Sequence, residues 1–298
     1  MPSGWPAGRN SSGDEVTATL GMLTRRAAAV LAAAGVTEPR REALRLLADL
    51  MDRSPGAIVL HAGDPVPAEL AERALAATGR RAAGEPIAYV SGWAGFRNLT
   101  LQVDRRVLIP RPETEGLVEL VLKSVSGGRV VDVGTGSGCI ALSLAQEGRF
   151  DQVTATDRSA AALAVARGNA RRLGMPVTFV EADLVSAFAG GSCQAVVSNP
   201  PYLTDGELEQ LDPSVRDWEP AEALASGHDG LDALRRLIVG ASRVLVEGGL
   251  LAVEVDSSRA EQVAALARHS DWGEIAITKD LFGRNRFVTA RRGPCHDR

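Results

Sequence analysis

Val130-Val131-Asp132-Val133-Gly134-Thr135-Gly136-Ser137-Gly138 is the stretch on which the fold of this chain turns. A short apolar run with strand character enters a turn with glycine at every second position, and Cys139 to Gln146 then has the spacing of a helix. Glycine in such a turn permits positive φ and lets a ligand lie against bare backbone. The spacing differs from the G-x-G-x-x-G form suited to pyrophosphate, and Asp132 just ahead of it suits a cationic ligand better. Taken alone, the turn is compatible with NAD, FAD or no ligand at all.

Working outward, apolar runs alternate with helical patterns from Arg129 to about Ala290, the signature of a parallel sheet covered on both faces. Predicted strands are Val130 to Val133, Val153 to Thr156, Val177 to Val180, Ala195 to Val197 and Leu250 to Val255. A final antiparallel pair is predicted near Ile275 to Thr278 and Arg286 to Ala290. Helices are predicted at Cys139 to Gln146, Ser159 to Arg172, Leu231 to Val246 and Ser258 to Arg268.

Two further strand ends carry chemistry. The strand after the glycine turn closes on Asp157, where a carboxylate can grip both hydroxyls of a ribose. The next is followed by Glu181-Ala182-Asp183-Leu184, an acidic and an apolar residue able to bracket an adenine. Sulfonium, ribose and adenine together describe S-adenosyl-L-methionine. Its candidate contacts are Gly134, Thr135, Gly136, Ser137, Gly138, Asp157, Asp183, Leu184 and Asn199.

Asn199 opens the third chemical stretch, Ser198-Asn199-Pro200-Pro201-Tyr202. Two prolines cannot donate to a sheet ladder, so the strand must stop there, and Pro201 holds Pro200 extended. The Asn199 side chain and the carbonyls of Asn199 and Pro200 become a rigid set of acceptors beside an aromatic ring.

The N-terminal part reads differently. Residues 1–14 are small and polar, without the apolar core of a signal peptide, and are expected to be a disordered tail. Residues 15–85 follow a helical period: one helix from near Glu15 to Ala34, a second capped by Thr37, a third behind Ser54-Pro55 through Leu60, and a fourth from Pro67 to about Gly84. This all-α bundle is read either as a scaffold or as a module that docks a macromolecular partner. In residues 86–110 the period shifts towards two, with Tyr89 and Val90 followed by Leu99, Leu101 and Val103, which predicts a hairpin around Gly95 to Asn98 as linker. Residues 111–298 form the sheet domain.

Composition narrows the class. The chain has 298 residues, is 45% hydrophobic and carries a formal net charge of -4, so it lacks the basic footprint of a bulk nucleic-acid binder. No apolar run is long enough to span a bilayer. Cys139, Cys193 and Cys295 are widely spaced without a Cys-x-x-Cys, which argues against disulfides and zinc and fits a reducing cytoplasm. His61, His228, His269 and His296 have no ligand spacing, and no metal site is expected.

Gly134 to Gly138, Asp157 and Asn199 to Tyr202 resemble the class I methyltransferases with an N-P-P-Y motif. The chain is more closely similar to the HemK/PrmC branch, the glutamine methyltransferases of peptide chain release factors. Val107-Leu108-Ile109-Pro110-Arg111-Pro112-Glu113-Thr114-Glu115 resembles that branch's interdomain signature, and Trp218-Glu219-Pro220, Asp229-Gly230-Leu231 and Lys279-Asp280-Leu281 with Gly283-Arg284 resemble its later blocks. Departures stand at Trp218, where tyrosine is more usual, at Ser226, where glycine is, and at Asp256, after Glu254-Val255, where glycine is common.

The resemblance implies a Rossmann-like α/β domain with a mostly parallel seven-stranded sheet and a late antiparallel strand, preceded by a partner-binding helical bundle. It also implies methyl transfer to the amide of the glutamine in a Gly-Gly-Gln motif, with Asn199, Pro200 and Tyr202 as catalytic residues. Asn199, Pro200, Pro201, Tyr202, Phe96, Arg111, Glu113 and Thr114 are the implied substrate contacts, with Phe96 from the hairpin opposite Tyr202. A carboxamide nitrogen is a poor nucleophile, and acceptance of its two hydrogens by Asn199 Oδ1 and the Pro200 carbonyl would aim it and stabilise developing charge. The N-P-P-Y loop specifies only a planar NH2 group. A ribosomal-protein glutamine, or the exocyclic amine of adenine in DNA or RNA, remains open as substrate, as does cofactor binding without catalysis.

Overall fold

The computed structural model describes residues 18–269 and 272–294. The tail at 1–14, the helix start at Glu15, Cys295 and His296 lie outside the described residues. The chain divides into two compact units, with the boundary between Ser91 and Gly92.

The first unit is helical: α1 (Leu20–Ala33), α2 (Pro39–Met51), α3 (Pro55–Leu60), α4 (Ala68–Ala82) and α5 (Ile87–Ser91). Leu23, Leu31, Leu46, Leu47 and Ile58 form its buried interior, and the Arg81 guanidinium on α4 reaches Glu42 on α2 at 2.6 Å. Ser54 caps α3 as predicted, its hydroxyl accepting from Ala57 N. Thr37 does not cap α2. Proline at the first helical position sets the start, and Glu38 occupies the cap without a side-chain bond. Ile87 to Ser91 is also not extended. The Pro86 carbonyl accepts from both Tyr89 N and Val90 N, and the fixed φ of proline favours that first helical turn over the extended reading.

The second unit begins with the hairpin β1 (Trp93–Phe96) and β2 (Leu99–Gln102), then α6 (Thr114–Ser124), β3 (Arg129–Val133), α7 (Cys139–Glu147), β4 (Gln152–Asp157), α8 (Ala160–Leu173), β5 (Val177–Glu181) and β6 (Cys193–Ser198). Short helices α9 (Asp205–Glu209) and α10 (Pro213–Arg216) and a 3-10 turn at Ala221–Ala223 follow. The chain closes with α11 (Asp232–Val244), β7 (Leu245–Glu254), α12 (Ala260–Arg268), β8 (Trp272–Lys279) and β9 (Asn285–Arg292). The seven-stranded sheet has the order β5-β4-β3-β6-β7-β9-β8, parallel through β7, with β9 antiparallel to both β7 and β8. Every predicted strand is present.

Alternation along the strands sorts the core onto two faces. Val131, Val133, Val196, Leu251 and Val253 pack with α11 and α12, whereas Val130, Ala195, Val197, Leu250 and Ala252 pack with α6, α7 and α8. Strand order reverses between β3 and β6. In open α/β sheets a crevice forms at such a switch point, beyond the carboxyl ends of the strands, and it is there that the glycine turn and the Asn199 loop meet.

Candidate active site

The turn after β3 is built on Asp132. Its side chain is 0% exposed, and Oδ2 accepts from Thr135 Oγ1 at 2.6 Å and from Ala141 N at 3.1 Å. Burial pushes its carboxyl up to about 7, while the two donors favour the charged form. Asp132 is therefore a strut under the loop rather than a group facing the ligand. Gly134 and Gly136 have φ of +71° and +55°, and a Cβ on either would meet open space, so bare backbone faces the cleft. Gly138 serves packing instead, since a Cβ there would meet Leu142 at 3.1 Å and Ala166 at 3.3 Å.

Asp157 ends β4 beside this turn. One carboxylate oxygen accepts from Gly136 N at 3.0 Å and the other from Ser159 N at 2.9 Å. An open cleft beside it is lined by Gly134, Gly136, Asp157, Asp183, Leu184, Asn199 and Pro201. Asp183 is also ion-paired with Arg236 of α11. Thr135, Ser137 and Gly138, expected as cofactor contacts, do not line it; Thr135 and Ser137 are buried, and Thr135 holds the turn through its bond to Asp132.

The Asn199 loop is held at several points. Ser198 Oγ donates to Val133 O at 2.7 Å, joining the ends of β6 and β3. Tyr202 N and Leu203 N both donate to Leu224 O, and Gly230, at φ +73°, has Tyr202 O only 2.3 Å from where a Cβ would sit. Asn199 Nδ2 donates to Thr114 Oγ1 at 3.0 Å. The Tyr202 phenol is raised to about 12, chiefly by burial, so it stays neutral.

Four implied substrate contacts are placed differently. Phe96 is 1% exposed within the core on the α6–α8 face, while Tyr202 packs against the α11–α12 face. Hairpin alternation buries Phe96, so it does not stand opposite Tyr202. Thr114 is 2% exposed, accepts from Asn199 Nδ2 and does not line the cleft. Arg111 donates to Glu219 at 2.6 Å. Glu113 is the N-cap residue of α6 and does not line the cleft.

Not paired in the sequence, but joined in the structure, are the two signature blocks around the cleft. Glu219 accepts from Arg111 and from Ile109 N, the latter at 3.2 Å. Arg105 lies over the Trp218 ring at 4.0 Å. Val107, Leu108, Pro220 and Glu222 accordingly line the cleft, a role that only the proximity of two unusual proline-rich blocks could have suggested. Two departures are absorbed locally: Ser226 Oγ accepts from Ala233 N at 2.9 Å, and Asp256 Oδ1 accepts from Ser258 N at 2.8 Å.

Among the described residues no helix is long and apolar enough to cross a membrane, and no group of three His, Cys, Asp or Glu side chains could hold a metal ion. Residues 113–212 match the Methyltransferase small domain family and residues 23–92 match the PrmC N-terminal domain. Two solved structures share the fold: the hMettl16 catalytic domain in complex with MAT2A 3'UTR hairpin 6, with a TM-score of 0.53 at 16% identity over 78% of this chain and 84% of that one, and a methyltransferase from Pyrococcus furiosus, with 0.51 at 17% over 72% and 98%. The release factor glutamine methyltransferase of Cereibacter sphaeroides is 42% identical over 90% of this chain and 96% of its own. That of Deinococcus radiodurans is 40% identical over 91% and 97%. With such identity running through both units, this chain belongs to the release factor glutamine methyltransferase family.

Proposed function

We propose that this S-adenosyl-L-methionine-dependent methyltransferase acts in the cytoplasm on the side-chain amide of the glutamine in the Gly-Gly-Gln motif of peptide chain release factors, with the helical unit docking that protein substrate. The observation that carries the reading is Asn199 at the cleft wall with its NH2 group tied to Thr114. That bond leaves Oδ1 as the end free to accept a hydrogen.

The cleft fits the cofactor: bare glycine backbone at Gly134 and Gly136, a carboxylate at Asp157 for the ribose hydroxyls, and Asp183 with Leu184 for the adenine. When bound, S-adenosyl-L-methionine supplies an electrophilic methyl group. Asn199 Oδ1 and the Pro200 carbonyl accept the two hydrogens of the glutamine amide, align its nitrogen and stabilise positive charge developing on it. One N–H proton is then lost as the neutral methylamide forms. Tyr202 excludes water from the planar amide.

Mass spectrometry of release factor incubated with the protein and labelled cofactor tests the reading. A methyl group on the Gly-Gly-Gln glutamine is the expected result; transfer only to a ribosomal-protein glutamine, only to adenine in nucleic acid, or to nothing overturns it.

A further inference from the structure

Between Tyr202 and Leu231 the chain leaves the sheet and builds one wall of the cleft, lined by Pro220, Glu222 and Ala223. That wall has almost no interior of its own. Among the described residues, α9, α10 and the 3-10 turn bury no side chain, and within residues 203–225 Glu219 alone is buried. A segment this long without a core is held by polar anchors or it opens locally. Glu219 is one anchor, through Arg111 and Ile109 N. It serves the end of the wall that faces the cofactor seat, because Pro220, Glu222 and Ala223 follow it directly.

The end next to Tyr202 is held by Arg259, the residue that precedes α12 and is 7% exposed. Its Nη2 donates to Glu207 Oε2 of α9 at 2.5 Å, and its Nε donates to Asp229 O at 3.3 Å. The same Glu207 oxygen accepts from Thr204 N at 2.8 Å while Thr204 Oγ1 accepts from Glu207 N at 3.1 Å, so the ion pair is built into the cap that starts α9. Thr204 is two residues past Tyr202. On the other side, a Cβ on Gly230 would stand 2.3 Å from Tyr202 O and 2.9 Å from Arg259 Nε, so turn, loop and guanidinium are in close contact. The start of the Asn199 loop is fixed to the sheet domain by Ser198 on Val133 O and by Asn199 on Thr114. Its exit is bonded to Leu224 O, which belongs to the coreless wall itself. Arg259 gives that exit its tie to the rest of the fold.

We infer that Arg259 is a positioning residue for methyl transfer: by clamping Glu207 of α9 to the Asp229-Gly230 turn it fixes the exit of the Asn199-Pro200-Pro201-Tyr202 loop, and with it the Pro200 carbonyl and the Tyr202 ring against the acceptor amide. This rests on the proposed function. Arg259 is covered whereas Glu207 is half exposed, so the arginine is the member of the pair that depends on its partner.

Variants at both ends of the pair test it. Arg259→Met keeps the apolar stem and removes both bonds, and kcat on release factor should fall roughly 10–100-fold, the scale of a loop misplaced by about 1 Å. Cofactor affinity by calorimetry should stay within about threefold, because Gly134, Gly136 and Asp157 are untouched. Arg259→Lys keeps a charge for Glu207 but loses the fork that also reaches Asp229 O, and should recover part of the loss. Glu207→Gln, on a half-exposed side chain, should lower kcat by about 3–10-fold, and adding it to Arg259→Met should cost nothing further. Independently of turnover, hydrogen-exchange mass spectrometry should show the amides of residues 203–210 exchanging about tenfold faster in Arg259→Met, with β3 and β6 unchanged. Folded Arg259→Met with kcat within about twofold of wild type, losses that multiply in the double variant, or faster exchange spread evenly over the sheet overturns the clamp. Should Arg259→Met fail to fold, Glu207→Gln must show both the loss in kcat and the local exchange, or the inference falls. A wild-type protein that methylates no protein glutamine overturns the proposed function instead, and the exchange at 203–210 then still decides the clamp.

Discussion

The Asp157 carboxylate accepts from the Gly136 amide at 3.0 Å with one oxygen while the other holds Ser159 N at the start of α8. One side chain thus sets the spacing between the glycine turn and the next helix, and its exposed edge lines the cleft. Asp157→Ala should weaken S-adenosyl-L-methionine binding by roughly 10–100-fold, combining a lost charge-assisted contact with a loosened turn. Asp157→Asn should fall between. Isothermal calorimetry decides, and an affinity within twofold of wild type in the alanine variant would remove Asp157 from the site.

Asn199→Ala separates binding from chemistry. Cofactor affinity should change little, because the turn and Asp157 are intact, while methyl transfer should fall by about 10³-fold or more through loss of the acceptor that aligns the target nitrogen. Single-turnover assays with saturating cofactor read the chemical step directly; a variant equal to wild type in those assays would mean that the loop is not catalytic.

Arg97, at the tip of the hairpin between β1 and β2, is one of the ties between that hairpin and the helices of the sheet domain, alongside Asn169, which bonds the Gln102 backbone. Its guanidinium donates to Glu147 of α7 at 2.7 and 2.8 Å, to Glu119 of α6 at 3.0 Å and to Glu115 O at 3.0 Å. The Glu119 pair is half exposed and contributes little, but Glu147 is largely covered. Arg97→Met should cost about 2–3 kcal/mol, mostly from leaving the Glu147 charge without a partner. Urea unfolding should show it as a lower midpoint with an unchanged slope.

The pH dependence of stability follows from two buried acids. Burial raises Asp132 and Glu254 to about 7, while in an unfolded chain such groups titrate near about 4. The folded state therefore binds more protons across that window. The stability carried by the protonated forms is complete below about 4 and is lost as pH rises through about 7. Melting temperature should decline between about pH 5 and pH 8, and Asp132→Asn should flatten the decline. Scanning calorimetry of both proteins across that range checks it; equal slopes would show that Asp132 is not held protonated by the fold.

Much of this was legible in the chain itself. Val130 to Val133 and Leu250 to Val255 read as strands because a strand buried on both faces of a parallel sheet is a mostly apolar run, here interrupted only by Asp132 and Glu254. The turn at Gly134 and Gly136 read as a ligand seat because positive φ and missing side chains are properties of glycine anywhere. Asn199-Pro200-Pro201-Tyr202 read as a rigid loop because two prolines end a strand whatever surrounds it. Ile87 to Ser91 was misread because five residues hold too little period to tell a helical turn from a strand, and the capping Pro86 carbonyl decided it.

Sequence by itself determined the strands of the sheet, the long helices between them, their order and the residue types at the strand ends, since these rest on backbone constraints and on apolar periodicity within a few residues. Only the tertiary structure decided what each side chain does there. Phe96 went to the opposite sheet face from Tyr202, Arg111 to Glu219, and Thr114 to Asn199, 85 positions further along the chain. Hydrogen-bond partners and sheet faces are set by distances in space, and those distances exist only once β3 and β6 lie side by side and α6 packs on them, bringing Thr114 to Asn199.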